Sequence, residues 1–244
     1  GIMDFAGGEE TFTSKLNYNK NLKIYDFEIF STIKNLKFSL KSIDYKKLDL
    51  KKADLKIVGQ YNNSNNSLNI NFFNFSDIEK NRILLKNVKF NSKTKINDFE
   101  EINILTKKNN LVNNDFKIMK NKNHINIEGK KFDATYFFKN LFEDSKQSLL
   151  SNKFKGNFNI NIDELIADKN NKLLNINGSG KIENRKISKL DLISNFDKDE
   201  ILKILIIPDS NNNKKMFLYS DRAALFIKNL SFVEGFKGGK LEFI

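Results

Sequence analysis

The chain contains no cysteine, no tryptophan, a single histidine and a single proline. The absence of cysteine excludes a disulfide framework, a Cys-ligated metal and a thiol nucleophile. With His124 as the only imidazole, the His-based metal sites and the Ser–His triads are nearly excluded as well. We therefore expect no metal site, no cofactor and no catalytic residue, and we predict that the protein is not an enzyme.

Long apolar runs are also missing. No stretch of 18 or more apolar residues occurs, so no segment is expected to cross a membrane as a helix. Residues 1–5 lack the charged start and apolar core of a signal peptide. We expect the sequence to be a piece of a longer protein, with any membrane anchor or export signal outside it.

The formal charge of +12 comes almost entirely from lysine, since the only arginines are Arg82, Arg185 and Arg222. Proteins that read bases and phosphates favour arginine for its planar fork of donors. Lysine, by contrast, commonly solvates the outer faces of strands and protects sheet edges. We therefore do not expect nucleic acid as a partner.

The dominant pattern is alternation of apolar and polar residues with a period of two, which indicates strands with one apolar face. Clusters rich in Asn and Lys at 62–66, 107–110, 169–172 and 210–213 separate these runs and suit hairpin turns. The sequence predicts a mainly β fold, an elongated antiparallel meander that forms a curved, open sheet. Clear alternating sets are Leu68, Ile70 and Phe72; Phe116 and Ile118; Phe158, Ile160 and Ile162; and Leu174 and Ile176.

Two segments depart from this period and predict short helices near 133–150 and 221–230. Asp133 is placed to cap the first helix, and Ser220 or Asp221 to cap the second. Two short helices are too small to cover a dozen or more strands with one apolar face. Either the sheet folds onto itself or its apolar face lines a groove, which at fifteen strands would run roughly 70 Å.

The C-terminal half resembles the AsmA-like envelope proteins, in particular their YhdP branch. The resemblance covers residues 131–244 and depends on an ordered set: the helix opening at Asp133, strands over 156–163 and 174–180, the stretch Asp221-Arg222-Ala223-Ala224-Leu225, and Gly238-Gly239-Lys240-Leu241. It implies a periplasmic segment of a Gram-negative protein anchored in the inner membrane. It also implies a role in phospholipid transport between the inner and outer membranes and in outer-membrane integrity.

These observations divide the chain into a β-rich groove segment, 1–130, and an AsmA/YhdP-like β module, 131–244, expected to act as a monomer. Acyl chains of phospholipid are the predicted ligand. A purely structural or adhesive β-sandwich or β-solenoid without lipid is the alternative, because the same alternation serves a closed core. The predicted lipid-binding residues are Phe154, Phe158, Ile160, Ile162, Leu174, Ile176, Ile182, Leu190 and Leu192.

Overall fold

A computed structural model describes residues 3–7, 9–47, 51–136, 149–196, 199–208, 214–223, 226 and 239–243. Apart from a 3₁₀ turn at Lys41–Ile43, its regular elements are strands. They are β1 Met3–Gly7, β2 Phe12–Asn19, β3 Ile24–Ile33, β4 Leu36–Leu40, β5 Tyr45–Lys47, β6 Ala53–Asn62, β7 Ser67–Asp77, β8 Arg82–Phe90, β9 Ile96–Asp98, β10 Glu101–Lys108, β11 Leu111–Asn121, β12 His124–Asp133, β13 Gly156–Ile166, β14 Lys172–Glu183, β15 Lys186–Asn195, β16 Ile201–Pro208, β17 Lys214–Ser220 and β18 Leu241–Phe243.

Fifteen strands form one open sheet, in the order β18-β17-β16-β15-β14-β13-β12-β11-β10-β8-β7-β6-β3-β2, with β9 beside β8. This confirms a mainly β, open sheet dominated by antiparallel pairs. The meander is interrupted twice. Strands β12 and β13 are parallel, so that β13 starts at the same edge of the sheet as β12, with Asn157 opposite His124. Strands β4 and β5 leave the large sheet and pair with β1 in a small sheet.

The two predicted helices are not confirmed. No α-helix of a full turn occurs among the described residues, and most of both ranges (137–148, 224–225 and 227–230) lies outside them. The proposed division at residue 130 falls inside β12, and the hydrogen-bonded ladder continues across it to β13.

Two asparagines inside strands interrupt the alternation of side chains. Asn87 in β8 and Asn175 in β14 have φ values of 49° and 52°. A residue in this left-handed region kinks the strand and shifts which of the following side chains face the core, and asparagine tolerates this conformation better than most residues. The sequence pattern therefore predicts the wrong side chain near each of these positions, as described below.

The small sheet is fastened to one long edge of the large sheet by a buried asparagine. Asn114, which is fully buried, donates from Nδ2 to the carbonyl of Ile43 at 2.6 Å. Its Oδ1 accepts the backbone N–H of Asp133 at 2.9 Å. Tyr45 of the small sheet packs edge-on against Phe75, with ring centroids 5.9 Å apart. These contacts hold the small sheet over the apolar side of β7, β11 and β12.

A second cover lies at the opposite long edge, in the segment 149–155 that precedes β13. The backbone N–H of Ile96 donates to Leu149 at 2.8 Å, and that of Ser151 donates to Ile96 at 2.9 Å. Phe154 stacks on Phe99 with centroids 5.9 Å apart. The segment therefore covers apolar side chains of the sheet near this edge.

Candidate functional site

A continuous line of apolar residues crosses the large sheet along the direction of its hydrogen bonds. Each member directly faces the next on the neighbouring strand, from β3 to β17. At about 4.8 Å per strand the line is roughly 50 Å long. We call it the central track; it consists of Ile29, Ile57, Phe73, Leu85, Ile102, Ile118, Ile127, Ile160, Gly178, Leu192, Ile204 and Leu218.

The central track is less buried than the rows on either side of it. Every member except Leu218 is half-buried. One flanking row is fully buried beneath the small sheet and the residues around Phe196 and Phe226; it includes Phe75, Ile83, Ile104, Phe116, Ile162 and Ile176. The other is buried beneath Phe99 and Phe154; it includes Val88, Ile125, Phe158 and Leu190.

Among the described residues the strands form two sheets, and the small sheet packs on one side of the large one, in an apolar cluster that also includes Phe73, Leu85, Ile102 and Ile118 of the central track. The substantial contacts of each strand in the large sheet are with its ladder neighbours, and the one further contact of this kind joins β10 to β5. The flanking rows are about four residues apart along a strand, for example from Phe158 to Ile162, which is roughly 13 Å. The apolar face is thus a long shallow groove with covered sides and a half-open floor.

The predicted lipid-binding residues separate into two groups in this groove. Ile160 and Leu192 belong to the central track, and Ile182 is half-buried on the same face. These three are accessible to a ligand. The other members of the apolar face are buried and support the floor or the sides: Phe154, Phe158, Ile162, Ile176 and Leu190.

Leu174 does not join the apolar face. The kink at Asn175 places Leu173, which is 2% exposed, beside Ile176, whereas Leu174 lies outside the apolar clusters. Phe72 also lies outside the alternation predicted with Leu68 and Ile70, because β7 has an extra residue, Asn71, relative to β6, opposite the kink at Asn87. Phe72 faces Lys86, and Phe73 takes the place on the apolar face.

The half-buried residues of the first half of the chain were absent from the predicted site. Ile29, Ile57, Leu85 and Ile102 lie on the same track as Ile160. Their alternation predicts an apolar face, but only the pairing of strands aligns residues that are more than a hundred positions apart in the sequence. Their position at the middle of each predicted strand is the sequence feature that could have identified these residues.

The outer face of the sheet is polar and carries ion pairs that bridge three strands. Each has a central glutamate between lysines of both neighbouring strands: Lys15–Glu28–Lys56, Lys86–Glu101–Lys117 and Lys131–Glu164–Lys172. The hydrogen bond from Lys86, at 2.7 Å, is the main cause that holds the pKa of Glu101 below its usual value. Each set contains two lysines and one glutamate, so one positive charge per set remains on this face.

The described residues contain no group of three or more His, Asp or Glu side chains placed to hold a metal ion. No helix in the part that the structure describes is long and apolar enough to span a membrane. His124 is exposed at the start of β12. Among these residues the central track is the feature best suited to a ligand.

Comparison of the chain with protein-family models, with curated proteins and with solved structures found no match. The functional interpretation therefore depends on the geometry of the groove and on the sequence resemblance described above.

Proposed function

We propose that the groove binds the acyl chains of phospholipid and that the chain is a periplasmic segment of an AsmA-like protein that moves phospholipid between the inner and outer membranes. The observation that carries the proposal is the central track: an apolar line roughly 50 Å long whose members are half-buried on β3 to β16. The resemblance to the YhdP branch supports the periplasmic setting and the inner-membrane anchor outside this segment.

Binding in the groove requires only that the apolar surface of the acyl chain is buried. Each methylene removed from water contributes about 0.8 kcal/mol without a preferred direction. A uniform apolar line offers similar burial at every strand, so an acyl chain has no deep minimum that would hold it in one place. This property suits a path along the sheet better than a storage pocket.

A purely structural β protein would use the same alternation to build a closed, dry core. The half-buried state of the track from Ile29 to Ile204 favours the ligand-binding interpretation, because a finished core buries its central residues most completely. In this sheet one flanking row is buried on most strands from β7 to β17, and Val88, Ile125, Phe158 and Leu190 of the other row are buried, whereas the line between the rows is half-buried.

Site-specific photocrosslinking tests the proposal. A photoreactive amino acid is placed at Ile127, Ile160 or Ile204, and in matched variants at the adjacent outward-facing residues Asn126, Asn159 or Lys203. The protein is produced in a Gram-negative periplasm, irradiated and analysed by mass spectrometry. We expect phospholipid adducts at the track positions and few at the outward positions. Equal labelling of both sets, or no adduct at any track position, would contradict the proposal.

A further inference from the structure

The two long edges of the large sheet differ in charge. One edge, which we call the basic rim, consists of the turns 20–23, 63–66, 91–95, 122–123 and 184–185 and the segment 151–155. These stretches contain no Asp or Glu. They contain the cations Lys20, Lys23, Lys93, Lys95, Lys122, Lys153, Lys155 and Arg185.

The opposite rim carries both signs of charge within its described turns at 34–35, 51–52, 78–81, 167–171, 199–200 and 221–223. Several of its cations are held in ion pairs. Arg222 lies 2.5 Å from a carboxylate oxygen of Glu200, and Lys51 contacts Glu79. The three Lys–Glu–Lys sets of the outer face each keep one lysine in excess. Positive charge is densest at the basic rim, whose stretches hold eight cations; the carboxylates that border them are Glu183, which neighbours Lys155, and Asp98, which pairs with Lys120.

The basic rim runs parallel to the central track at a distance that one lipid molecule spans. On β12, Lys122 precedes Ile125 by three residues and the track residue Ile127 by five, which is about 10 Å and 17 Å along a strand. On β13, Lys155 stands at the same separation from Phe158 and Ile160. The acyl region of one membrane leaflet is about 15 Å thick, half of the hydrocarbon core. Ile125 and Phe158, between rim and track, are buried beneath Phe99 and Phe154. A molecule with its headgroup at the rim and an acyl chain on the track therefore crosses above this cover, which itself carries Lys153 and Lys155.

We propose that the ligand of the groove is an anionic phospholipid whose phosphate headgroup lies at the basic rim while its acyl chains lie on the central track. This inference rests on the proposed function and adds the orientation of the ligand and its preferred headgroup charge. Lysine ammonium groups bind phosphate oxygens through charge-assisted hydrogen bonds. Consecutive hairpin turns on one rim are about 10 Å apart, two strand spacings, so cations recur along the whole path.

A nucleic-acid backbone is the competing anion. Binding of single strands combines basic residues with aromatic side chains on which bases stack. The stretches of the basic rim contain one aromatic residue, Phe154, and it is 2% exposed and stacked on Phe99. Three tyrosines, Tyr18, Tyr25 and Tyr61, lie beside the turns at one end of the rim, where they pack against one another. Along the rest of the rim the neighbouring surface is the apolar track, which offers nothing to a phosphate–sugar backbone.

The test compares lipids that share acyl chains and differ in headgroup. Binding of phosphatidylglycerol, phosphatidylcholine and diacylglycerol is measured by competition against a lipid with a fluorescent acyl chain. The protein is compared with a basic-rim variant, in which Lys93, Lys122, Lys153 and Lys155 are replaced by Gln, and with an opposite-rim variant. In the latter Lys34, Lys52, Lys80 and Lys169 are replaced by Gln, which removes the same charge from exposed positions.

We expect phosphatidylglycerol to bind at least roughly tenfold tighter than the uncharged lipids, since each cation near an anionic headgroup contributes about fivefold. The basic-rim variant should lose this preference, while the opposite-rim variant should keep it. Salt at about 0.5 M should reduce the preference in the unchanged protein, because the screening length falls to about 4 Å.

Each remaining outcome has a separate meaning. Tight binding of all three lipids with no headgroup preference, or a preference that survives in the basic-rim variant, overturns this inference and leaves the proposed function standing. Failure to bind any of the lipids overturns both. Rim-dependent binding of a short DNA duplex with no lipid binding would assign the basic rim to nucleic acid and overturn both as well.

Discussion

Ile160 is the position at which the lipid proposal is most sharply tested. It lies on the central track between Ile127 and Gly178, and it is half-buried. Replacing it with aspartate places a carboxylate on the floor of the groove. In the free protein the half-open floor leaves that carboxylate hydrated, but a bound acyl chain would remove it from water.

The expected loss follows from the contact that the charge disrupts. Roughly four methylenes of an extended chain cover the ~4.8 Å between two strands, and each contributes about 0.8 kcal/mol. Losing these contacts costs about 3 kcal/mol. Because about 1.4 kcal/mol corresponds to tenfold in affinity, Ile160→Asp should weaken phospholipid binding by roughly a hundredfold.

The matched control is Asn159→Asp, which adds the same charge at the adjacent, outward-facing residue of β13. Affinity for a phospholipid with a fluorescent acyl chain is measured for both variants, together with urea unfolding to verify that each remains folded. Ile160→Asn supplies a neutral side chain of the same shape as aspartate and should lose less affinity.

Equal affinities for Ile160→Asp and Asn159→Asp, both folded, would refute the reasoning. A charge on the track lies beneath the bound acyl chain and must weaken its binding, whereas a charge on the outer face does not contact it. If Asn159→Asp is the variant that loses binding, the ligand lies on the outer face instead.

Three further predictions concern the framework that shapes the groove. Asn175→Val should lower the free energy of unfolding by about 2 kcal/mol in urea titration, because a β-branched residue is strained at a φ of 52°; Asn175→Gly should be close to neutral. Asn114→Ala should cost about 2 kcal/mol, since the buried Asp133 N–H loses its partner and the Ile43 carbonyl keeps only the longer bond from Asn113, at 3.4 Å, and hydrogen exchange should then show the small sheet opening before the large one. Asp221 accepts hydrogen bonds from the Ile201 N–H, Lys240 and Tyr219, which lower its pKa from 3.8 to about 2. Its contribution to stability is therefore present above about pH 4 and is lost as the pH falls towards 2, so Asp221→Asn should flatten the fall in the urea midpoint across that range.

The alternating pattern was sufficient to predict the fold class and the polarity of the two faces. Phe158, Ile160 and Ile162 alternate with asparagines, and the structure places them on one apolar face as predicted. The pattern failed at Leu174, beside an asparagine in a left-handed conformation, and at Phe72, where β7 has an extra residue relative to β6. Many asparagines of this chain occupy ordinary strand or turn positions, so the sequence does not mark which of them kink a strand.

The predicted site also mixed residues with different roles. Ile160 and Ile176 are identical in type and both alternate with polar neighbours, yet one is half-buried on the track and the other is 1% exposed beneath its cover. Apolar character predicts the face to which a side chain points. It does not predict what covers that face, because the cover comes from segments distant in the sequence.

By itself the sequence determined a mainly β chain with one apolar face, an excess of lysine, a single histidine and no cysteine, because these properties follow from residue type and local spacing. The tertiary structure decided which apolar residues remain half-open and where the unbalanced charge collects. Both depend on strand register and on which turns share an edge, and hydrogen bonds between distant segments set that alignment.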